Sequence, residues 1–408
     1  MNDVKRFRRD GSGAGRSSAQ RVLSHLMTQS QPVSRPEIAL ACDVSRPTVF
    51  AAVERLTELG LVADVGQRVG LPGRSASLYE VSDQAGTAVG VDIGGSNIRV
   101  SLTDVRGRPL AETREPTSAT GGVAIARQVV HLVRQVSEET SSGSGTTKVV
   151  GVSVPGVVDA DGATVHYAWN VGQAEPFDFR TPLREALQAE VLLDNNVNLA
   201  AIGEQWQGAA QQLQTFAVIA VGAGVGAGIV HAGQLLRGAH GAAGEVAFLP
   251  LSPDYRRRRA ASPDEAGGLI LLKKAQQQDG WAHGRPPTSV EELFQRAAAG
   301  EAPGVALVEE ESRRIAVIAA SICAIIDPET VILAGGVGAN EALVARPSEL
   351  VNQLAPFAPA VVRSALGDTA SLVGATALAL RRVRENLVAG LGEPNGAALS
   401  ESLRARGR

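Results

Sequence analysis

Cysteine is almost absent from this chain of 408 residues, which holds only Cys42 and Cys323. They lie far apart, on stretches that read as helices. A disulfide framework and a cysteine-rich zinc site are therefore excluded, and buried structural thiols are expected. Aromatic residues reach only 3%, but 44% apolar and 20% charged residues make a globular profile without bias toward disorder. The length allows two or three domains with real cores. No run of eighteen apolar residues occurs, and the first residues, MNDVKRFRRDGSGAGR, lack the apolar core of a signal peptide. A soluble cytoplasmic protein that engages no membrane is expected. Strong charge of one sign is also missing, because the net charge is −3. Its distribution is uneven: residues 1–85 carry 11 basic against 9 acidic side chains, and the remainder 28 against 33. Lys5, Arg6, Arg8 and Arg9 concentrate the basic excess in residues 1–17, read as a flexible arm.

Helical signals follow the arm. Ala19, Val22, Leu23 and Leu26 share one face of a helix beginning at Ser18. Ser34 caps a second helix, with Pro36 and Glu37 in its first turn and Ile38, Leu40 and Ala41 within it. Ser45 caps a third, Pro47 occupies its first turn, and Val49, Val53 and Leu56 form a buried stripe that Gly60 ends. Two strands, Leu61 to Val65 and Ala76 to Val81, flank a polar turn from Gly66 to Arg74. Together they make a winged helix-turn-helix over residues 18–84, with double-stranded DNA as the expected partner.

The stripe fixes the face free to meet DNA. With Val49, Val53 and Leu56 inward, Arg46, Pro47, Phe50, Ala51 and Glu54 point outward. Arg46 can reach guanine edges or phosphates, and Ser45 and Thr48 suit phosphate oxygens. Phe50 either meets a thymine methyl or packs against the wing. Arg68 and Arg74 are placed to enter the neighbouring minor groove, or are simply solvated.

A longer α/β region begins with AVGVDIGGSNIRVSLTD, residues 88–104. Val89 and Val91 alternate into Asp92, Gly94 and Gly95 make a turn, and Ile98, Val100 and Leu102 resume the alternation. Such a turn can cradle a phosphate, and it can equally be an ordinary hairpin. A helix over Ala124 to Glu138, a loop over Ser141 to Thr147 and a strand over Val149 to Val154 follow. Further on come a strand over Val191 to Leu193, a helix over Asn198 to Gln207 and a strand over Phe216 to Val221. Gly222, Gly224, Gly226 and Gly228 then read as a second glycine-rich turn leading to a strand at Ile229 and Val230. A helix over Arg313 to Ile326, a strand over Val331 to Leu333, a turn at Gly335 and Gly336 and a helix over Ala370 to Val383 close the region. Residues 385–408 read as a polar tail.

The segments VDIGGSNIRVSLTD, GVSVPGVVD, DNNVNLAAIGE, VGAGVGAGIV, GAHGAAGE, PETVILAGGVG and SALGDTASLVGATALAL together resemble the ROK family of repressors, open reading frames and sugar kinases. The resemblance implies a two-lobed, actin-like, sugar-kinase-like α/β domain over residues 88–384. A winged helix-turn-helix ahead of it is the layout of the family's transcriptional regulators.

The kinases of that family imply three features that this sequence lacks. Their general-base aspartate is replaced by Asn196, and an amide cannot take the proton of a hydroxyl. Their zinc-site histidine is Phe248 here, and the expected cysteine stretch, SPDYRRRRAASPDEAGG, holds no thiolate, so no metal and no cofactor is expected. Ala223 stands where the second phosphate turn normally carries a hydroxyl. Asp92, Gly94, Gly95, Gly222 and Gly224 would thus be vestigial phosphate loops, and no residue is catalytic. The resemblance implies that Asn170, Asn195, Asn196, Glu245 and Glu265 bind a sugar, with Trp169 an apolar platform or core residue. Asn195 and Asn196 can also be read as a capped helix start. The expected function is a DNA-binding regulator, a repressor, that senses a sugar as a homodimer or homotetramer. The alternative is an ATP-dependent sugar kinase with an appended DNA-binding domain.

Overall fold

The computed structural model describes residues 17–68, 76–139, 149–168, 171–172, 175–249 and 267–392. Its first part runs α1 (Ser18–Leu26), β1 (Val33–Ser34), α2 (Arg35–Cys42), α3 (Arg46–Glu58), β2 (Val62–Gln67) and β3 (Ser77–Val81). Ser17 caps α1 through a reciprocal bond with Gln20, the Ser34 N–H donates to Glu37 at 2.7 Å, and the Ser45 hydroxyl accepts the N–H of Thr48. These caps satisfy donors that a helix start leaves unpaired, which is why serine predicts the boundaries. Val49, Val53 and Leu56 are fully buried, and the three strands form a small sheet in the order β1-β3-β2.

The first lobe holds β4 (Thr87–Ile93), β5 (Asn97–Asp104), β6 (Pro109–Pro116), α4 (Gly122–Glu139) and β7 (Val149–Val154). It continues with β8 (Val157–Val158), β9 (Thr164–His166), β10 (Phe177–Asp178), α5 (Arg180–Leu187), β11 (Glu190–Asn195) and α6 (Asn196–Gln207). The second lobe holds β12 (Phe216–Val221), β13 (Val225–His231), β14 (Gln234–Leu235), α7 (Gly268–Gln276), α8 (Val290–Ala298) and α9 (Ala302–Ile326). It ends with β15 (Thr330–Ala334), α10 (Gly335–Gly338), α11 (Ala342–Leu354), β16 (Ala360–Arg363) and α12 (Ala370–Gly390).

Each lobe is built on a five-stranded sheet, β11-β7-β4-β5-β6 in the first and β14-β13-β12-β15-β16 in the second. Numbered within its own lobe, either sheet has the order 3-2-1-4-5. Strands one to three are antiparallel neighbours, and strands four and five join parallel to the first. A glycine turn links strands one and two in both. The helix that follows the fifth strand crosses over: α6 packs on β12 and β13 of the second sheet, α12 returns to β4 and β7 of the first, and the two helices pack on each other.

α12 also ties the lobes to the helix-turn-helix part. Leu380, Val383, Leu387 and Leu391 join Val22, Leu23, Ile38, Val53 and Leu56 in one apolar core. The Gln20 amide donates to the Val388 carbonyl at 2.8 Å. Each fully buried aliphatic side chain of this kind contributes about 1.5–3 kcal/mol, so the boundary expected near residue 85 is bridged by a substantial core.

Three sequence expectations need correction. The tail does not start at residue 385, because α12 runs to Gly390 with Leu387 and Leu391 buried against α1. Gly226 and Gly228 lie not in a turn but in β13. A Cβ on Gly228 would stand 2.5 Å from the Val197 carbonyl, so glycine is there to let α6 approach the sheet. The helix expected from Arg313 begins at Ala302, with Pro303 in its first turn and Glu309 and Glu310 paired to Arg346 and Lys274. Cys42 and Cys323 are buried and unbridged. The expected loop over Ser141 to Thr147 lies outside the described residues, as do residues 1–16.

Candidate functional site

A cleft of about 460 Å³ opens between the lobes, lined by Pro155 and Gly156, the start of α6, the turn Gly222 to Gly224, Glu245, and Gly335 to Gly336. Gly367, Asp368, Ala370 and Ser371 complete it, so the first residues of α12 are part of its wall.

Asn195 and Asn196 both line the cleft but do different things. Asn195 is the N-cap of α6: its Oδ1 accepts the N–H groups of Val197 and Asn198, and its Nδ2 donates to the Gly156 carbonyl at 2.7 Å. Asn196, half-buried at the first position of α6, makes no side-chain hydrogen bond among the described residues. The nearest carboxylate in sequence is committed to its own neighbours. Asp194 is buried, its Oδ1 accepts from the Asn195 N–H at 2.8 Å and from Asn198 Nδ2 at 2.9 Å, and its Oδ2 is held by Arg237. With both oxygens engaged, Asp194 acts as a strut for the start of α6.

Glu245 faces the same cleft without a side-chain hydrogen bond among the described residues, and burial pushes its carboxyl above the usual range. A carboxylate without a partner of its own in a cleft is a ready acceptor for ligand hydroxyls. Asn170, Trp169 and Glu265 lie outside the described residues. Phe248 is in a short 3-10 turn with its ring centroid 6.4 Å from that of Tyr167.

The two glycine turns differ in their relation to the cleft. Gly222 and Gly224 line it, and the carbonyls of Gly222 and Ala223 accept the N–H groups of Gly268 and Leu269 at the start of α7. Among the described residues Asp92, Gly94 and Gly95 do not line it. Their hairpin is closed by the Gly94 N–H to the Asn97 carbonyl and by the Thr117 hydroxyl to the Gly94 carbonyl. Asp92 is buried and accepts from the Ser153 hydroxyl at 2.8 Å, and burial raises its carboxyl.

On the helix-turn-helix, Ser45, Arg46, Pro47, Phe50 and Ala51 are exposed and Thr48 is half-buried. The hydroxyls of Ser45 and Thr48 bond each other at 2.6 Å. Phe50 is 48% exposed, with the Arg35 guanidinium 4.2 Å from its ring centroid. Arg68, about half exposed just after β2, donates from its Nη1 and Nη2 to the carboxylate of Glu37 at 2.9 and 3.3 Å. That pairing and the Ser34 bonds hold Glu37 at about 2. Arg74 lies outside the described residues.

Sequence reasoning missed Tyr167 and Asp368. Tyr167 lines the cleft at φ 60°, a conformation that bulky residues adopt only under constraint. No local pattern marks it. Asp368 is bound by Arg99 of β5, whose Nη1 donates to the Asp368 carbonyl at 2.7 Å and whose Nη2 meets the carboxylate at 2.5 Å.

Two lobes with a glycine turn in each, preceded by a helix-turn-helix with a small sheet, are the architecture of a sugar-kinase-like α/β domain behind a winged helix-turn-helix. The ROK family profile matches residues 88–382, and the chain belongs to that family. The IclR helix-turn-helix domain profile matches residues 16–66. A glucokinase of Halalkalibacterium halodurans is 31% identical over 170 residues, 41% of this chain and 50% of that protein. The DNA-binding transcriptional dual regulator NagC of Escherichia coli K12 is 25% identical over 232 residues, 57% of either chain. The matched region thus spans between half and three fifths of these curated relatives. A solved ROK family transcriptional regulator, described as a homolog of the E. coli MLC protein, shares the fold across both parts. Its TM-score is 0.73 at 18% identity, covering 94% of this chain and 98% of that one. No helix among the described residues is long and apolar enough to cross a membrane.

Proposed function

We propose that this chain is a sugar-responsive transcriptional repressor whose kinase-like domain binds a sugar or sugar derivative without phosphorylating it. The observation that carries the reading is the course of α12. Its first residues wall the cleft beside Asn196 and Glu245, and its last turns are buried in the core of the helix-turn-helix. A ligand that binds the closed cleft better than the open one shifts α12, and α12 cannot move without the DNA-binding domain. In a homodimer, such a shift alters the separation of two recognition helices that must meet half-sites about 10 bp, or a multiple of it, apart. The protein acts where its operator is, in the cytoplasm. Resemblance to repressors such as NagC supports this reading. Asn196 in place of a base, with Asp194 fully engaged, supports the absence of phosphoryl transfer.

Genome-wide mapping of bound DNA supplies the operator, and titration of its complex with a carbohydrate panel tests the reading. One sugar should release the DNA, whereas indifference to the whole panel would sink the sensing half. The rival kinase reading predicts robust turnover in a coupled phosphorylation assay, where we expect only background.

A further inference from the structure

Arg35 opens α2, the first helix of the helix-turn-helix pair, yet no sequence signal set it apart. Its guanidinium lies over two rings, 4.2 Å from the centroid of Phe50 on α3 and 4.7 Å from that of Tyr79 on β3. One cation is thus held by an element of each kind: the helix that precedes the recognition helix, the recognition helix itself and a strand of the wing. Rings hold a guanidinium in place without using its N–H groups. Those groups are unspent: Arg35 has no hydrogen bond and no ion pair among the described residues, and its Nε is buried without a partner. The acidic residue nearest in sequence is already neutralised, because Glu37 is paired with Arg68.

An immobilised cation without an anion, beside an exposed recognition helix, calls for an anionic partner from outside. In helix-turn-helix docking the first helix crosses the sugar–phosphate backbone while the second enters the major groove. We propose that Arg35 binds a DNA phosphate, with Phe50 and Tyr79 as the platform that presents it, and so sets the register of α3 in the groove. Phe50 is then a support for Arg35 before it is a base reader. The pairing of Arg68 with Glu37 keeps a carboxylate from repelling the same phosphate. This assignment deepens the DNA-binding reading above and rests on it.

The test uses the full chain and a random-sequence duplex, since phosphate contacts need no operator. Arg35→Met keeps the bulk over the rings and removes the charge; Arg35→Lys keeps the charge. Binding is measured from low to high salt, with Arg46→Ala as a control and thermal unfolding as a check on folding. Arg35→Met should weaken binding about 10-fold and reduce the slope of log affinity against log salt by about 0.9, the loss of one neutralised phosphate. Arg35→Lys should keep most of the slope. A Met variant with the wild-type slope overturns the assignment while the DNA-binding reading stands, provided the Arg46 variant is weakened. A changed base preference in a randomised duplex library replaces the phosphate with a base contact and equally overturns it. If the unmodified protein shows no salt-dependent binding, the DNA-binding reading itself fails.

Discussion

The two lobes have the same strand order and place a glycine turn at the same point, between their first and second strands, but only the second turn lines the cleft. Topology therefore does not assign the ligand; side chains around each turn do. In the first lobe Thr117 and Asn97 close the hairpin on itself, and Asp92 is spent on Ser153. In the second, Gly222, Ala223 and Gly224 face the same space as Asn196 and Glu245.

The largest expected effect would break the equivalence of the lobes at their helix contacts. A Cβ on Gly90 would stand 2.7 Å from the backbone nitrogen of Thr376 in α12, and one on Gly228 would stand 2.5 Å from the Val197 carbonyl in α6. Backbone atoms cannot step aside as a side chain end can. Gly90→Val and Gly228→Val should therefore each lose about 3 kcal/mol or more in denaturant titrations. A large loss at one site and none at the other would mean that the crossed helices do not bear on the two sheets alike.

Next in size is the contrast between the turns. Nothing lies within 4 Å of a Cβ built on Gly224, and its backbone is not left-handed. Gly224→Leu should leave the unfolding midpoint nearly unchanged while filling the cleft, so that sugar affinity falls by roughly 10-fold or more. Gly95→Ala, on the turn that does not line the cleft, should leave sugar affinity within about two-fold of the original. Equal effects in calorimetric titration would show that both turns touch the ligand.

The elements around both turns were legible in the sequence, but their different relation to the cleft was not, since both read as phosphate loops. β4, the turn and β5 were readable because large apolar residues recur at every second position on both sides of a glycine turn, although the structure buries all of β4 and not one face of it, and α3 because Ser45 and Pro47 mark a helix start. Glycine is the ambiguous letter. Gly222 marks a turn and Gly228 a helix contact, and only the tertiary approach of α6 separates them. The division of labour between Asn195, Asn196 and Asp194 was hidden for the same reason, since Arg237, which engages Asp194, is 43 residues away. The last turns of α12 look polar in sequence, yet Val383, Leu387 and Leu391 are buried, and Val388 packs, against a core supplied by the far end of the chain. Tyr167 and Arg35 carry no sequence signal because their settings are made by other elements.

A smaller effect separates the two buried carboxyls. Burial raises Asp92 above 3.8 and Glu245 above 4.5 in the fold. A raised acid binds its proton more tightly when folded, so this contribution to stability is complete below the unfolded value and is lost as pH rises through the folded one. Once ionised, each group is therefore a liability to the fold. Asp92→Asn and Glu245→Gln should both flatten the dependence of the denaturation midpoint on pH above the ordinary carboxyl range, where a raised acid loses its stabilising proton. Only Glu245→Gln should weaken sugar binding, because Asp92 lies off the cleft. Loss of binding in Asp92→Asn would move the ligand toward the first turn.

A small effect on stability is expected at Arg99, whose guanidinium links the first hairpin to the cleft wall at Asp368. Its partner Asp368 is 69% exposed, so Arg99→Ala should lose less than about 1 kcal/mol of stability and leave sugar affinity nearly intact. What should change is communication. Arg99 holds the residue that precedes the first turns of α12, so its loss would let the cleft close on a sugar without fixing the position of that helix start. The ratio of operator affinities with and without saturating sugar should then shrink, while operator affinity in the absence of sugar stays the same. Asp368→Asn should give the same partial uncoupling, and the double variant should add nothing to either, as expected of two residues acting through one contact. An unchanged ratio would reduce the first lobe's turn to a piece of scaffold and leave the second lobe as the sole route from ligand to DNA.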